Sequence, residues 1–324
     1  MGPGGPHPDA ATDADPAADR RPLDHGGTGL AKSVTRRPYL ERLAERSAAA
    51  GTVLCIGIDP DPAGLPPGFP PDLAGVERFA RLLVEAAAPY AAAVKPNVAF
   101  FEAFGSAGVA ALERVRAAIP AGIPVVADVK RGDIGTTAAR QAVALFDALG
   151  ADAVTVNPYL GSDAVGPLLE RLDRYAYLLC RTSNPGAGEL QDLVVGAEGE
   201  APAEPLWARV ARLAGGWGPG GTVGLVVGAT APRELAAIRS IAPGLGFLVP
   251  GVGAQGGDLA AVLRDGPATD PPAGARPGGG LLVNVSRGIA LAAAGPPPGG
   301  TPHDPGERLA LAAARWAADL PVLP

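Results

Sequence analysis

Eight short apolar segments alternate with longer helical segments along most of the chain, and this alternation limits the possible folds more than any other feature. Most of the short segments are apolar on both faces, as parallel strands are when helices cover the sheet. Eight βα units predict an α/β protein with a (β/α)8 TIM barrel, and an open doubly wound sheet is the alternative. The predicted strands are residues 52–58, 91–95, 123–129, 152–156, 176–181, 222–227, 246–250 and 281–285.

The chain is organised as one barrel domain, residues 38–324, behind an N-terminal tail. Residues 1–37 are rich in Pro, Gly and Asp, and this composition predicts a disordered tail. Many of the 46 glycines and 36 prolines fall in the tail and in loop insertions near 62–71, 195–221, 264–280 and 295–306. The predicted helices are residues 39–50, 72–88, 105–119, 134–149, 161–172, 203–214, 231–241, 256–264 and 305–318.

Composition excludes several functional classes. A net charge of −6 argues against sequence-independent nucleic-acid binding, and no apolar run is long enough to span a membrane. The N-terminus lacks the basic and apolar regions of an export signal. Cys55 and Cys180 lie in apolar strands and are interpreted as buried free thiols, so we expect a reducing, cytoplasmic location. The three histidines lie in Pro/Gly-rich stretches, which argues against histidine catalysis or a zinc site (His7, His25, His303).

Lysine is rare, and its positions are informative. Of 27 basic residues only Lys32, Lys95 and Lys130 are lysines, and the last two end predicted strands. Arginine keeps its proton throughout the accessible pH range, whereas lysine can release one. Two lysines at strand ends in an arginine-rich chain therefore indicate chemistry that requires an ammonium group.

Polar residues follow nearly every predicted strand. In a barrel the carboxyl ends of the strands meet at one face, where active sites are built. Each residue taken singly has another explanation, because Asp and Asn often cap the following helix. Together they predict a site, and the residues are Asp59, Lys95, Asn97, Asp128, Lys130, Asn157, Thr182, Ser183, Asn184, Gly251, Gly253, Gln255, Ser286, Arg287 and Gly288.

The segment VVADVKRGDIGTTAAR, residues 125–140, carries the most distinctive chemistry. Asp128 and Lys130 are two apart in a strand and should point to the same side. Asp133 begins the next helix and Thr137 lies one turn further on, on the same face. A lysine between carboxylates stays protonated, which favours a proton donor over a Schiff-base amine. The alternative is a structural ion-pair cluster in which Asp133 only caps the helix.

The segment GVGAQG, residues 251–256, matches a dinucleotide-binding pattern but follows the seventh strand rather than the first. Barrels often bind phosphate at the loops after strands seven and eight. We interpret this loop, together with Arg287 and the backbone of the SRG turn, as a phosphate site. The alternative is that the glycines serve only a tight turn.

Six strings in order resemble the orotidine 5′-phosphate decarboxylase family, and specifically its bacterial type 2 subgroup. They are IDPDP (58–62), VKPNVAFFEAFG (94–105), DVKRGDIGTT (128–137), RTSNPGA (181–187), VPGVGAQGGD (249–258) and VNVSRGI (283–289). The resemblance covers residues 38–318. It implies decarboxylation of orotidine monophosphate to UMP in de novo pyrimidine biosynthesis, without metal or organic cofactor. It also implies a homodimer with active sites at the subunit interface.

The resemblance also implies roles for residues. Asp59 and Lys95 would hold the ribose, Asp128 would face the substrate carboxylate, and Lys130 would protonate C6. Asp133 and Thr137 would reach the partner subunit's site. Ser183 would bind the pyrimidine and Gln255 would bridge base and phosphate. Gly253, Ser286 and Arg287 would bind the phosphate; Ser286 stands where the family commonly has glycine, which a backbone N–H contact would tolerate.

Two alternatives remain open from the sequence. The chain could be a related barrel enzyme that shares the D-x-K-x-x-D motif. Such an enzyme would use the carboxylates of the motif to bind Mg²⁺ and process a sugar-phosphate enediolate. A protein without catalytic activity could simply bind phosphate. The lysine beside Asp128 and the SNPGA and AQGG strings argue against the first, and two lysines among carboxylates argue against the second.

Overall fold

A computed structural model describes residues 1–2, 36–196, 203–253, 255–295 and 304–323. Within these residues, eight parallel strands form one sheet in which each strand lies beside its neighbours in sequence. The strands are β1 (Leu54–Ile58), β2 (Ala93–Pro96), β3 (Val126–Arg131), β4 (Ala153–Val156), β5 (Tyr175–Arg181), β6 (Val223–Val227), β7 (Gly246–Pro250) and β8 (Leu282–Val285).

The sheet curls into a barrel. The last strand, β8, pairs with β1, and Cys55 lies opposite Asn284 in the register. Strands β2 and β3 meet through two parallel bridges, Val94 with Val125 and Asn97 with Asp128, instead of a continuous ladder. Because no strand order reverses, the sheet has no switch point of the kind found in doubly wound folds. The (β/α)8 barrel prediction is confirmed.

Helices follow the strands and cover the outside of the barrel. Residues 143–148 continue the fifth helix as a π-helical segment. A two-residue antiparallel pair, Val194–Val195 with Glu204–Pro205, was not predicted and lies in or beside the insertion 195–221. The α-helices are α1 (Tyr39–Ala50), α2 (Leu73–Ala87), α3 (Ala99–Glu102), α4 (Gly105–Ala118), α5 (Gly135–Ala142), α6 (Ser162–Leu169), α7 (Gly188–Gln191), α8 (Leu206–Ala214), α9 (Pro232–Ile241), α10 (Leu259–Asp265), α11 (Arg287–Ala290) and α12 (Pro305–Asp319).

The apolar core has two layers. The larger lies between strands and helices, and the smaller fills the barrel interior. Helix α1 supplies Tyr39 to the interior layer, where its ring stacks on Tyr175 at 5.0 Å and its hydroxyl lies 3.1 Å from that of Tyr177. The amino-terminal end of the barrel is therefore filled by packed aromatic rings, and the opposite end remains for a site.

The described residues of Arg37–Pro324 form one compact unit. Residues 3–35, most of the tail for which disorder was predicted, lie outside the described residues. All three histidines also lie outside them. Cys55 and Cys180 are buried free thiols, as predicted. Among the helices described, none is both long and apolar enough to cross a membrane.

Candidate active site

A cavity of about 470 Å³ opens at the carboxyl end of the strands. Nine of the eleven residues to which the resemblance assigns a role line it, and they come from loops or strand ends on six of the eight strands. Those nine are Asp59, Lys95, Asp128, Lys130, Ser183, Gly253, Gln255, Ser286 and Arg287. The structure therefore brings these side chains together, because parallel strands of a barrel end at one face.

Asp128 is held between two ammonium groups. Its Oδ2 accepts a hydrogen bond from Lys95 Nζ at 2.7 Å, and its Oδ1 accepts one from Lys130 Nζ at 2.5 Å. The carboxylate of Asp59 lies 4.0 Å from Lys95 Nζ. The Lys95 side chain is 5% exposed, whereas that of Lys130 is 51% exposed and faces the open cavity. Lys95 thus anchors the array and Lys130 presents its ammonium group to a ligand.

The opposite charges of this array keep one another ionised. Burial alone would lower the pKa of Lys95, but the carboxylates of Asp128 and Asp59 raise that pKa above its ordinary value. Burial would likewise raise the pKa of Asp128, but Lys95 and Lys130 hold it well below the usual carboxylic range. Lys95 and Asp128 are therefore both ionised at neutral pH.

The backbone bends at Lys130 to make this arrangement. Lys130 has φ +48°, a left-handed conformation found at no other non-glycine residue of the described chain. The β3–β4 register shifts between Ala127 and Arg131, where the strand bulges. Asp128 and Lys130 both face the cavity, as predicted, but through this irregularity and not through simple two-residue alternation.

Thr155 of β4 stabilises the bend. Its hydroxyl oxygen accepts hydrogen bonds from the backbone N–H groups of Val129 and Lys130, at 2.9 and 3.0 Å. The same hydroxyl donates to Asp128 Oδ1 at 2.9 Å. A hydroxyl has one proton and two lone pairs, so Thr155 uses its full capacity here. It positions both the carboxylate and the lysine.

Asp133 and Thr137 do not line the cavity of a single chain. Asp133 accepts a hydrogen bond from the adjacent Ile134 N–H at 2.8 Å, and helix α5 has no side-chain cap. The interpretation of Asp133 as a simple helix cap is therefore wrong. Asn157, in contrast, does act as a helix cap. Its side chain accepts a hydrogen bond from Tyr159 N–H at 3.0 Å, and it lies outside the cavity.

Two loops meet over the far side of the cavity. Ser183, after β5, donates a hydrogen bond to Gln255 Oε1 at 3.0 Å, and Gln255 follows β7. Gly251 and Gly253 lie in the same β7 loop with φ +96° and +122°, conformations that favour glycine. The glycines let this loop turn tightly and present its backbone to the cavity.

Arg287 and Ser286 form the end of the cavity beside β8. Arg287 is exposed, and the described residues offer its guanidinium no hydrogen bond or ion pair. Ser286 Oγ accepts a hydrogen bond from Asn284 Nδ2 at 3.3 Å. An arginine without an acid partner, next to glycine-rich backbone, suits a phosphate group.

Three polar residues of the cavity were not predicted from the sequence: Thr155, Gln191 and Asn284. Asn284 could have been found, because it is the one polar residue in the apolar run LLVNV and occupies an inward strand position. No local pattern identified Gln191. No group of three or more His, Cys, Asp or Glu side chains among the described residues is arranged to hold a metal ion.

A family model described as the orotidine 5′-phosphate decarboxylase / HUMPS family matches residues 52–297. The chain belongs to this family. A curated relative from Roseiflexus castenholzii, named orotidine 5′-phosphate decarboxylase, is 49% identical over 240 residues, covering 74% of this chain and 84% of the relative. Sequence and family model thus agree on the orotidine 5′-phosphate decarboxylase family.

Solved structures support the same family. Leishmania donovani OMP decarboxylase is 41% identical, with a TM-score of 0.69 over 86% of this chain and 95% of that chain. Leishmania donovani UMP synthase is 43% identical, with a TM-score of 0.72 over 87% of this chain. The chain spans about half the length of that protein, 55%.

Proposed function

We propose that this chain converts orotidine monophosphate to UMP and CO2, a step of pyrimidine biosynthesis, with neither metal nor organic cofactor. The observation that carries the proposal is the carboxylate of Asp128 held between the ammonium groups of Lys95 and Lys130 in the cavity. Family membership and the relatives named orotidine 5′-phosphate decarboxylase support it.

The array suits stabilisation of a carbanion. When the bond from C6 to the carboxylate breaks, its electron pair stays on C6 and CO2 departs. The ammonium group of Lys130 stabilises the developing negative charge and then transfers a proton to C6, and the N–H electron pair returns to Nζ. Lys95 fixes Asp128 from the buried side, so the carboxylate keeps Lys130 in place.

The rest of the cavity suits the remote parts of the substrate. Arg287, the backbone of Ser286 and the β7 loop, including Gly253, would hold the phosphate. Ser183 would bind the pyrimidine, with Gln255 between base and phosphate. Asp59 and Lys95 would hold the ribose hydroxyls. Contacts far from C6 can contribute binding energy that organises the charged array for the reaction.

The magnesium-dependent alternative fits the geometry less well. Both carboxylate oxygens of Asp128 already accept hydrogen bonds from ammonium groups, and Oδ1 also accepts one from Thr155. A cation would have to displace these donors and would lie beside two positive charges. The arrangement favours a lysine proton donor.

We also propose a homodimer in which Asp133 and Thr137 complete the site of the partner subunit. Ile134, Tyr159 and Leu160 expose 61, 79 and 53% of their surface. They lie on neighbouring segments, because Asn157 N–H donates to the Arg131 carbonyl at 2.7 Å. Exposed apolar residues beside Asp133 suit burial against a second copy. We expect a cytoplasmic location, which the two buried free thiols favour.

The test is turnover of orotidine monophosphate by the purified full chain in EDTA. Pyrimidine absorbance and released CO2 are followed together. Stoichiometric UMP and CO2, unaffected by EDTA, is the expected result. A folded chain that leaves orotidine monophosphate unchanged, but acts on a sugar phosphate when Mg²⁺ is added, would overturn the proposal.

A further inference from the structure

Gln191, at the end of helix α7, is tied to the strand end that carries Ser183. Its Oε1 accepts a hydrogen bond from the backbone N–H of Thr182 at 2.8 Å, and its Nε2 donates to Thr182 Oγ1 at 2.9 Å. One amide side chain thus fixes both the backbone and the side chain of the residue that immediately precedes Ser183. Gln191 also lines the cavity.

The next residue strengthens this attachment. Asp192 accepts two hydrogen bonds from Arg181, from Nε at 2.9 Å and from Nη2 at 3.1 Å. Arg181 Nη1 in turn donates to the Thr182 carbonyl at 2.9 Å. Two successive residues at the end of α7 therefore hold two successive residues at the end of β5.

Ser183 itself has little freedom. A Cβ on Gly228 would lie 2.8 Å from Ser183 N and 2.9 Å from its Cα, and a Cβ on Gly251 would lie 3.1 Å from Ser183 Cβ. The backbones of the β6 and β7 loops thus approach Ser183 closely from two sides. Thr182, which immediately precedes Ser183, is held by Gln191 through its N–H and hydroxyl, by Arg181 through its carbonyl, and by Asn184, whose Oδ1 accepts from the Thr182 hydroxyl.

We propose that Gln191 is a positioning residue for pyrimidine recognition. Acting through Thr182, it holds Ser183 Oγ where the hydroxyl meets Gln255 and the substrate base. The inference rests on the proposed function, in which Ser183 contacts the pyrimidine. It adds that the contact requires a side chain eight residues further along the chain, which has no substrate role of its own.

A double-mutant cycle tests this role. Steady-state kcat and KM for orotidine monophosphate are measured for the wild type, Gln191→Ala, Ser183→Ala and the double variant. Loss of one aligned hydrogen bond should lower kcat/KM about tenfold in each single variant. Because Gln191 acts through Ser183, the double variant should be no worse than Ser183→Ala alone.

Two further variants separate positioning from general structural support. Gln191→Met keeps the length of the side chain without adding charge but removes both hydrogen bonds to Thr182, so its kcat/KM should match that of Gln191→Ala. Glu189→Ala removes an exposed side chain from the same helix and should leave kcat/KM unchanged. Thermal unfolding of each variant reports any loss of fold.

The outcomes distinguish this inference from the proposed function. An active wild type, with losses at Gln191 and Ser183 that multiply in the double variant, would overturn the positioning role alone. Wild-type kcat/KM in Gln191→Ala would do the same. An inactive wild-type chain would overturn the proposed function and, with it, this inference.

Discussion

The hydroxyl of Ser286 occupies the space that a side chain at Gly57 would need. A Cβ built on Gly57 would lie 1.7 Å from Ser286 Oγ and 2.8 Å from Ser286 Cβ. The two residues are on adjacent strand ends, because β1 pairs with β8. Glycine at 57 therefore makes room for the serine that stands next to Arg287, at the end of the cavity proposed to bind phosphate.

Gly57→Ala should displace Ser286 and disturb the phosphate end of the site. We expect a loss of about 1–3 kcal/mol in the free energy of unfolding, from overpacking, and a higher KM for orotidine monophosphate. Denaturant unfolding and steady-state kinetics measure the two effects. Ser286→Gly removes the clashing atoms, so the double variant should recover most of both losses. A double variant as impaired as Gly57→Ala would disprove the coupling.

Lys130→Ala should abolish turnover while binding of UMP persists. The substitution removes the group proposed to stabilise and protonate C6, so kcat should fall by at least about 1000-fold. Phosphate and base contacts remain, so the Kd for UMP, measured by calorimetry, should change little. Arg114→Ala, which removes a cation paired with Glu77 on the outer surface, is the control and should turn over normally. Near-normal turnover in Lys130→Ala would exclude the lysine as proton donor.

Asp128→Asn should destabilise the fold because it leaves the buried ammonium of Lys95 without its nearest carboxylate. Removing one partner of a buried pair costs about 3–5 kcal/mol. Asp147→Asn breaks an exposed ion pair with Arg171 and should cost less than about 1 kcal/mol. Equal losses in the two variants would contradict the importance of the array.

The stability lost in Asp128→Asn should depend on pH, because folding shifts the pKa values of both Asp128 and Lys95. The pKa of Asp128 is lowered in the folded chain, so its stabilisation is present above the unfolded pKa of about 3.9 and disappears as pH falls towards the folded value. The pKa of Lys95 is raised, so its stabilisation is present below the unfolded pKa of about 10.4 and is lost only at higher pH. The stability gap between wild type and Asp128→Asn should therefore be constant near neutrality and shrink in acid. A gap that widens in acid would contradict this ionisation scheme.

The sequence predicted the barrel, and most of the polar residues that line the cavity, for one physical reason. Apolar runs separated by helices define parallel strands, and the residues that follow them must converge at one face. The bend at Lys130 could not be predicted in this way, because it depends on a hydroxyl from β4, Thr155, contributed by a different strand. The role of Gln191 could not be predicted either, because its partner Thr182 lies nine residues away across a turn.

Arg287→Ala should mainly raise KM. The arginine lies at the end of the cavity beside β8, whereas Lys130 and Asp128 belong to β3. Its loss removes the proposed charged hydrogen bond to phosphate, worth about 1.5–3 kcal/mol, or roughly 10- to 150-fold in KM. Orotidine, which lacks the phosphate, should react equally slowly with both proteins. Arg233→Ala, an exposed arginine on α9, is the control. A fall in kcat with unchanged KM would place Arg287 in the chemical step instead.

Mixed dimers should reveal whether Asp133 acts across the subunit interface. Asp133→Ala and Lys130→Ala homodimers should each be nearly inactive, since every site lacks one group. In a heterodimer, the site with an intact Lys130 receives an intact Asp133 from the partner, while the other site lacks both. Random 1:1 mixing of the subunits of a two-fold dimer should therefore restore about one quarter of wild-type activity. Differently tagged subunits, mixed after dissociation and purified as heterodimers, give the direct measurement. If Asp133 served its own chain, no combination would contain a complete site, and activity would not return.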